Sequence, residues 1–391
     1  MEKNLNFDVE VNRLGTNCSK WDSRSSVFGE EVLPLWVADM DFKSPSKVLE
    51  SIKETVDHGI LGYTFMKEED YTPFVNFMKT RHHLDVNPDE MLNTSGVVNS
   101  IALAILANTS EGDSIMIQTP VYHAFKRVIE ENDRKVVTNS LGNRCGIYTI
   151  DFIDFEKKIV ENDVKMVILS NPHNPVGRVW MYEELGLIVD ICKKHNVIIF
   201  SDEIHCDILY YGHHYSSILH FRETYDRVYA AFSPSKTFNL ASLYFSMVIS
   251  PNGELRDKLS KWISRTSTNG VNALNAPAAM AAYEHGEQWL NSMLEYVNDN
   301  ITFIINYFKE NMPSVRVMRP QGTYLVWIDF TRAFETSEEL DAFLVKEAKV
   351  GLNSGKSFGP EGEGFARLNA ACSRDTIVKA LKNIVDAYNK K

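Results

Sequence analysis

Between residues 114 and 249 the chain alternates short apolar runs with longer stretches whose apolar positions recur every three or four residues. Ser114–Gln118, Val164–Leu169, Val197–Phe200, Val228–Phe232 and Tyr244–Ile249 read as strands. Met181–His195 reads as a helix, with Leu185, Ile188, Val189 and Cys192 on one face. Strands that are apolar throughout and separated by helices predict a parallel sheet covered on both faces. Beyond residue 285 the pattern changes. Helical spacing over Glu287–Glu310 leads to a strand-like Thr323–Phe330, and a last helix carries Ile377, Leu381, Ile384 and Tyr388 on one face behind Ser373 as N-cap. The expected architecture is α/β: a large domain over about 46–285 with a mostly parallel sheet, and a smaller α+β domain over 286–391. The N-terminal arm, residues 1–45, is expected to pack against the smaller one.

The length of 391 residues agrees with two lobes. Lys+Arg 41 against Asp+Glu 52 leaves a net charge of −11, which argues against nucleic acid or an anionic membrane as the main partner. The five cysteines (18, 145, 192, 206 and 372) form no Cys-x-x-Cys pair, so a zinc ribbon and a thioredoxin-like centre are both excluded. The opening Met1–Asn6 lacks the apolar stretch of a signal peptide, and the longest apolar run, Ile101–Ala107, is far short of the roughly 20 residues that span a bilayer. A reducing cytoplasm is the expected location.

Ligands in open α/β sheets sit beyond the carboxyl ends of the strands. Three of those ends carry polar residues that are costly to bury alone: Ser170–Gly177 with Asn174, Ser201–His205 with Asp202, and Ser233–Asn239 with Lys236. Each is about one βα unit from the next, so the three should converge on one crevice. Singly, Lys236 reads as a surface lysine, Asp202 as a helix cap and Asn174 as a turn residue. Together, an amide, a carboxylate and a lysine suit pyridoxal phosphate: the lysine engages the aldehyde, the carboxylate keeps the pyridine nitrogen protonated, and the amide bonds the ring oxygen. A phosphate needs donors, which the backbone of Ser95–Ser100 offers ahead of the apolar helix, with a hydroxyl from Ser233.

Several longer motifs point the same way: Thr16–Asp22, Leu35–Phe42, Gly62-Tyr63, Gly96-Val97-Val98, Pro120-Val121-Tyr122, Asn171–Trp180, Ser201–His205, Ser235–Ala241, Gly322–Trp327 and Ala366–Asn369. With them the chain resembles fold-type I pyridoxal-phosphate enzymes of the aminotransferase class I/II superfamily. Within that superfamily it is similar to the MalY/PatB cystathionine β-lyases, or C–S lyases, over essentially its whole length. The resemblance implies that Lys236 is the Schiff-base lysine and the acid–base for the Cα proton. It implies Asp202 on the pyridine nitrogen, Asn174 on the ring oxygen and Tyr122 stacked on the ring. The Val97 and Val98 amides with Ser233 would hold the phosphate, joined by Tyr63 from a neighbouring subunit of a homodimer. Arg367 would bind the substrate α-carboxylate through two prongs.

Two positions depart from the superfamily pattern. Tyr244 stands where a cation commonly neutralises the phosphate, and Ser242 stands where glycine is usual. His123 is expected to shape the substrate pocket, and His205 to face the ring oxygen or serve structurally. Ser233-Pro234-Ser235-Lys236 also fits the Ser-x-x-Lys of penicillin-binding enzymes, but the Ser-Asp-Asn and Lys-Thr-Gly partners are missing. His205-Cys206 and His213-His214 have no spacing that suits a common metal site, and no metal is expected. The implied activity is α,β-elimination from L-cystathionine or related cysteine S-conjugates to pyruvate, ammonia and a thiol. Transamination of an L-amino acid uses the same residues and is the alternative. A regulatory protein-binding role comes from another class, and no exposed motif supports it.

Overall fold

A seven-stranded sheet organises the first two thirds of the protein. The structure, a computed structural model, describes residues 5–391; Met1–Asn4, part of the polar opening stretch, lie outside the described residues. The strands are β1 (Met91–Thr94), β2 (Ser114–Ile117), β3 (Lys135–Thr138), β4 (Val164–Ser170), β5 (Ile198–Asp202), β6 (Val228–Phe232) and β7 (Ser246–Ile249). Their spatial order is β1-β7-β6-β5-β4-β2-β3. The pairs from β6 across to β3 are parallel, whereas β7 is antiparallel to both neighbours. The sheet is mostly parallel, as expected, and β7 is the exception among the expected strands. Residues 233–245 hold only the short helix Pro234–Thr237 and a single 3-10 turn, so the chain doubles back instead of crossing over.

The continuous apolar character of the strands follows from burial on both faces. Met166 and Ile168 of β4 and Phe200 of β5 pack beneath helices α1 (Val97–Asn108), α2 (His123–Glu130) and α4 (Gly253–Thr266). Val167, Leu169 and Ile199 face the other way, toward Leu185, Ile188 and Val189 of α3 (Tyr182–Lys194). Each such side chain contributes about 1.5–3 kcal/mol of burial. β1 and β3, absent from the sequence-based strands, are the two edges of the sheet. Neither shows the fully apolar signature, because an edge buries less.

The last third builds a second sheet from β8 (Arg316–Met318), β9 (Leu325–Asp329), β10 (Asn353–Ser354) and β11 (Phe365–Asn369), antiparallel in the order β8-β9-β11-β10. Helices α5 (Glu287–Asn311) and α6 (Arg374–Tyr388) pack beside it, and the Ser373 hydroxyl accepts the Thr376 N–H at the start of α6, as an N-cap should. The N-terminal arm joins this region: Leu33–Pro34 pairs in parallel with Val350–Gly351. Phe7 packs edge-on against Trp289 of α5 and Phe42. No helix among the described residues is long and apolar enough to cross a membrane.

Candidate active site

The carboxyl ends of β4, β5 and β6 open into a cavity of about 240 Å³ whose walls include Asn174, Asp202 and Lys236, as their strand-end positions predict. Ladder-like bonds carry the sheet into the site, since Asn171 N–H donates to Asp202 O and Glu203 N–H to Ala231 O, both at 2.9 Å. Asp202 is buried, and burial pushes its carboxyl up to about 7 against the pull of the Ile204 N–H and Lys236. Lys236 follows β6 on the turn Pro234–Thr237 and donates through Nζ to Ala38 O at 2.7 Å. Burial lowers its pKa to about 8, with Asp39 and Asp202 opposing and Arg367 reinforcing the shift. An amine so placed is partly neutral, and nucleophilic, slightly above pH 7.

Arg367 lies on β11, between Trp327 of β9 and Asn353 of β10 in the register. Its Nη1 donates to Asn174 Oδ1 at 3.0 Å, and Nη2 donates to Trp36 O at 2.9 Å and Asn353 Oδ1 at 2.7 Å. The first bond fixes the Asn174 amide so that its NH₂, not its oxygen, is left for a ligand. Nε of Arg367 is buried without a partner, which an incoming carboxylate would satisfy. Burial pulls the guanidinium down to about 10, so it stays charged at neutral pH. The second sheet thus places one cation against Asn174 at the edge of the crevice.

The N-terminus of α1 forms another wall. Gly96 has φ 96° and ψ 153°, a backbone open essentially only to glycine, and among the described residues no side chain caps the helix. The amides of Val97 and Val98 are therefore available to an anion, with the helix dipole behind them. Buried hydroxyls brace this turn: Ser246 Oγ accepts Gly96 N–H at 3.0 Å and lies 2.7 Å from Thr94 Oγ1. Tyr122 and His205 also border the cavity. Burial holds the His205 imidazole well below 6.5, hence neutral, and its Nδ1 has no partner.

Two expected ligands are placed differently. Ser233 borders the cavity, but its hydroxyl serves its own turn: it lies 2.6 Å from Phe245 O as donor and accepts Ser235 N–H at 3.2 Å. The N-cap position that puts a serine before Pro234 competes for the hydroxyl. Ser235, whose Oγ is 2.8 Å from that of Ser233, also faces the cavity. Tyr63 is fully exposed on a loop and is not part of the wall in its own chain. Tyr244 does line the cavity, over Gly96, in the left-handed conformation at φ 50°.

Sequence reasoning singled out Leu35–Phe42 as a motif but gave no role to the shelf that residues 36–39 make. Trp36 O receives Arg367, and Ala38 O receives Lys236 together with the Tyr324 hydroxyl. Asn369 Nδ2 ties down the carbonyls of Val37 and Asp39 at 2.7 and 2.6 Å. Nearby, Asp41 collects Lys20, Trp21 and Arg13, with Lys20 wholly buried. Two more buried carboxylates brace the site. Glu203 accepts Ser201, Ser217, Tyr215 and the Ile218 N–H. Asp207 accepts Thr237 Oγ1 and faces His82 Nε2, both at 2.6 Å. Cys206 joins His82 and Asp207 in a group whose ligand atoms lie within 4.8 Å of one another, a cluster that the sequence pair His205-Cys206 did not suggest.

Comparison with known proteins agrees with this fold. The chain is 39% identical over 387 residues to cystathionine beta-lyase PatB of Bacillus subtilis, covering 98% of this chain and all of that protein. Cystalysin from Treponema denticola, solved with a pyridoxal 5′-phosphate cofactor, superposes with a TM-score of 0.96 at 33% identity, over 98% of this chain and 99% of that one. A pyridoxal-phosphate-bound C–S lyase from Staphylococcus hominis, complexed with the inhibitor L-cycloserine, superposes with a TM-score of 0.93 at 34% identity over 98% of both chains. Residues 30–384 match the family described as aminotransferase class I and II, and the chain belongs to that family.

Proposed function

We propose that this protein is a pyridoxal-phosphate-dependent carbon–sulfur lyase that carries out α,β-elimination on L-cystathionine or related cysteine S-conjugates. The observation that carries the reading is the buried amine of Lys236, with a pKa near 8, in one crevice with Asp202, Asn174 and Arg367. The donor set fits the cofactor: a carboxylate for the pyridine nitrogen, the Asn174 NH₂ for the ring oxygen, and helix amides at Val97 and Val98 for the phosphate. His205 Nδ1, buried and unpartnered, is one more polar atom that a bound ring would satisfy. Tyr122 supplies an aromatic face.

Pyridoxal phosphate, when bound, supplies an aldehyde for the substrate amine and a ring that accepts the electron pair left at Cα. Arg367 holds the α-carboxylate and so fixes which Cα bond points to Lys236. Lys236 removes the Cα proton, and its depressed pKa suits an amine that must exchange protons near neutrality. The Cβ–S bond breaks with its pair going to sulfur, which leaves as the thiol, and water completes the net conversion to pyruvate and ammonia. Transamination needs the same residues and differs in where the proton returns. The names of PatB and of the Staphylococcus hominis enzyme favour elimination.

The working unit of this reading is a homodimer. Ile60, Leu61, Tyr63 and Phe65 are 70, 62, 111 and 75% exposed on one short loop, an apolar patch suited to a second copy. Tyr63 would reach the phosphate of that copy. Residues 46–285 form the cofactor-binding body, and the arm with 286–391 forms the body that brings Arg367. Five free thiols, Cys145 exposed, suit a reducing cytoplasm.

The test is incubation of the cofactor-loaded protein with L-cystathionine, measuring pyruvate and free thiol. Pyruvate without an added keto acid is the expected result. Strict dependence on a keto acid would replace the lyase with a transaminase, and a protein that takes up no cofactor would sink both. Sedimentation of the wild type and of Tyr63→Ala checks the dimer.

A further inference from the structure

A second cavity, of about 430 Å³, shares Tyr122 with the lysine cavity and continues past His123 and Phe358. Tyr122 lines both cavities, and Phe358 is a wall of the second. The Arg367 guanidinium sits 4.9 Å over its ring, and the His123 ring meets it edge-on at 6.1 Å. A substituent that passes Tyr122 from the Lys236 side would enter a space that is apolar near Tyr122 and charged farther out. The charges come from Lys126 and Glu130, one turn apart on α2, and from Lys356 on the opposite lobe. Lys126 and Glu130 are only loosely paired at 3.8 Å and are 64 and 54% exposed, so each keeps its capacity for a ligand. Lys356 is already held by Glu338 and closes the far side. Burial lowers the pKa of His123, with Arg367 and Arg127 adding to the shift, so the inner wall is uncharged near neutrality.

We infer that this cavity is the subsite for the sulfur-borne half of the substrate, and that Lys126 and Glu130 select substituents ending in an amino-acid headgroup. The inference rests on the carbon–sulfur lyase reading and deepens it. A distal headgroup carries one carboxylate and one ammonium. Lys126 takes the carboxylate, Glu130 takes the ammonium, and the apolar wall covers the methylene stem. A pocket of this kind discriminates through the charges it leaves unpaired when a shorter, neutral substituent enters. Neither residue touches the reacting atoms, so both determine specificity and neither is catalytic.

The experiment compares three thioethers on the holoenzyme: L-cystathionine, S-(3-carboxypropyl)-L-cysteine, which lacks the distal ammonium, and S-ethyl-L-cysteine, which lacks both charges. In Lys126→Ala, KM for the first two is expected to rise about tenfold more than KM for the third, with little difference in kcat among them. In Glu130→Gln, that extra rise is expected for L-cystathionine alone. The conservative Lys126→Arg should recover most of the loss. Equal changes for all three substrates in both variants would overturn the subsite while leaving the lyase reading intact. Wild-type protein that releases no pyruvate from any of the three would overturn the lyase reading, and the subsite with it. Both side chains sit at an exposed rim, and measurable turnover of S-ethyl-L-cysteine reports that each variant is folded.

Discussion

Replacing Lys236 with Met is expected to stabilise the cofactor-free protein, although it removes the central reactive group. In the folded chain the amine titrates at about 8 instead of 10.5, burial being the main cause. By linkage, a shift of that size costs roughly 3 kcal/mol below the folded value of about 8, where the lysine is charged in both states. Part of the side chain faces the cavity, so about 2 kcal/mol is the safer figure. The variant loses the bond from Nζ to Ala38 O, about 1 kcal/mol, but that carbonyl keeps the Tyr324 hydroxyl at 2.8 Å. A net gain of about 1 kcal/mol remains at pH 7. The sign depends on pH in a definite way. A lysine whose pKa is depressed by folding destabilises the fold fully below the folded value, and the penalty disappears as pH rises from about 8 toward 10.5. Urea unfolding followed by tryptophan fluorescence, at pH 7 and at pH 10, measures both quantities. The expected result is a higher midpoint for Lys236→Met at pH 7 and a smaller or reversed difference at pH 10. A variant less stable at pH 7, or an advantage that ignores pH, would refute the reasoning.

Asp207→Ala should destabilise by about 3–5 kcal/mol in urea titrations, because it strands the His82 ring and the Thr237 hydroxyl without an acceptor in the interior. Burial alone would raise the Asp207 carboxyl, but the bonds from His82 and Thr237 outweigh it and hold the folded pKa below 3.8. Its contribution is therefore complete above about pH 4 and fades as pH falls through the folded value, so wild type and variant should converge in strong acid. Arg367→Lys should raise KM for the amino-acid substrate about 10- to 100-fold, since an ammonium cannot hold both a carboxylate and the Asn174 amide; a KM within twofold of wild type would remove Arg367 from substrate binding. Gly270→Ala should weaken cofactor binding measured by equilibrium dialysis. Its Cβ would lie 2.2 Å from Thr94 O at φ 70°, pushing on the strand that leads into Gly96; unchanged affinity would show that this turn does not depend on its backing.

What the sequence disclosed and what it withheld divide along a physical line. The inner strands were legible because burial on both faces demands apolar residues at every position, as in Val164–Ser170. Asn174, Asp202 and Lys236 were legible because polar residues at the ends of such strands need a reason to be there. Met91–Thr94 and Lys135–Thr138 escaped because edge strands share that demand only in part. The shelf at residues 36–39 escaped for a different cause: its ligands to Lys236 and Arg367 are backbone carbonyls, which every residue carries. The Ser233 hydroxyl was legible as a donor, but its partner was set by the Pro234 turn, which only coordinates reveal. Asp207 and His82 are 125 positions apart, and no local spacing announces such a pair.

Tyr244 gives this site an electrostatic character that sets it apart from relatives with a cation there. Among the described residues lining the lysine cavity, Lys236 is the one Lys or Arg, and its amine, lowered to about 8, is no fixed charge for a phosphate. In the proposed reading, a phosphate bound here would rest on the Val97 and Val98 amides and on neutral hydroxyls such as that of Ser235. A helix N-terminus stabilises an anion by about 0.3–1 kcal/mol at the surface and up to about 2 kcal/mol when partly buried, less than a close ammonium in the same place. Tyr244 itself sits at φ 50°, a conformation that costs a non-glycine residue about 1 kcal/mol or more, and it is 67% exposed in the single chain. A strained, exposed aromatic beside an anion site is best accounted for if a second copy covers it. In the proposed dimer the same copy would present the Ile60–Phe65 loop, and the missing cation and the exposed loop would then be two aspects of one arrangement: neutral donors around the phosphate, completed by the partner chain.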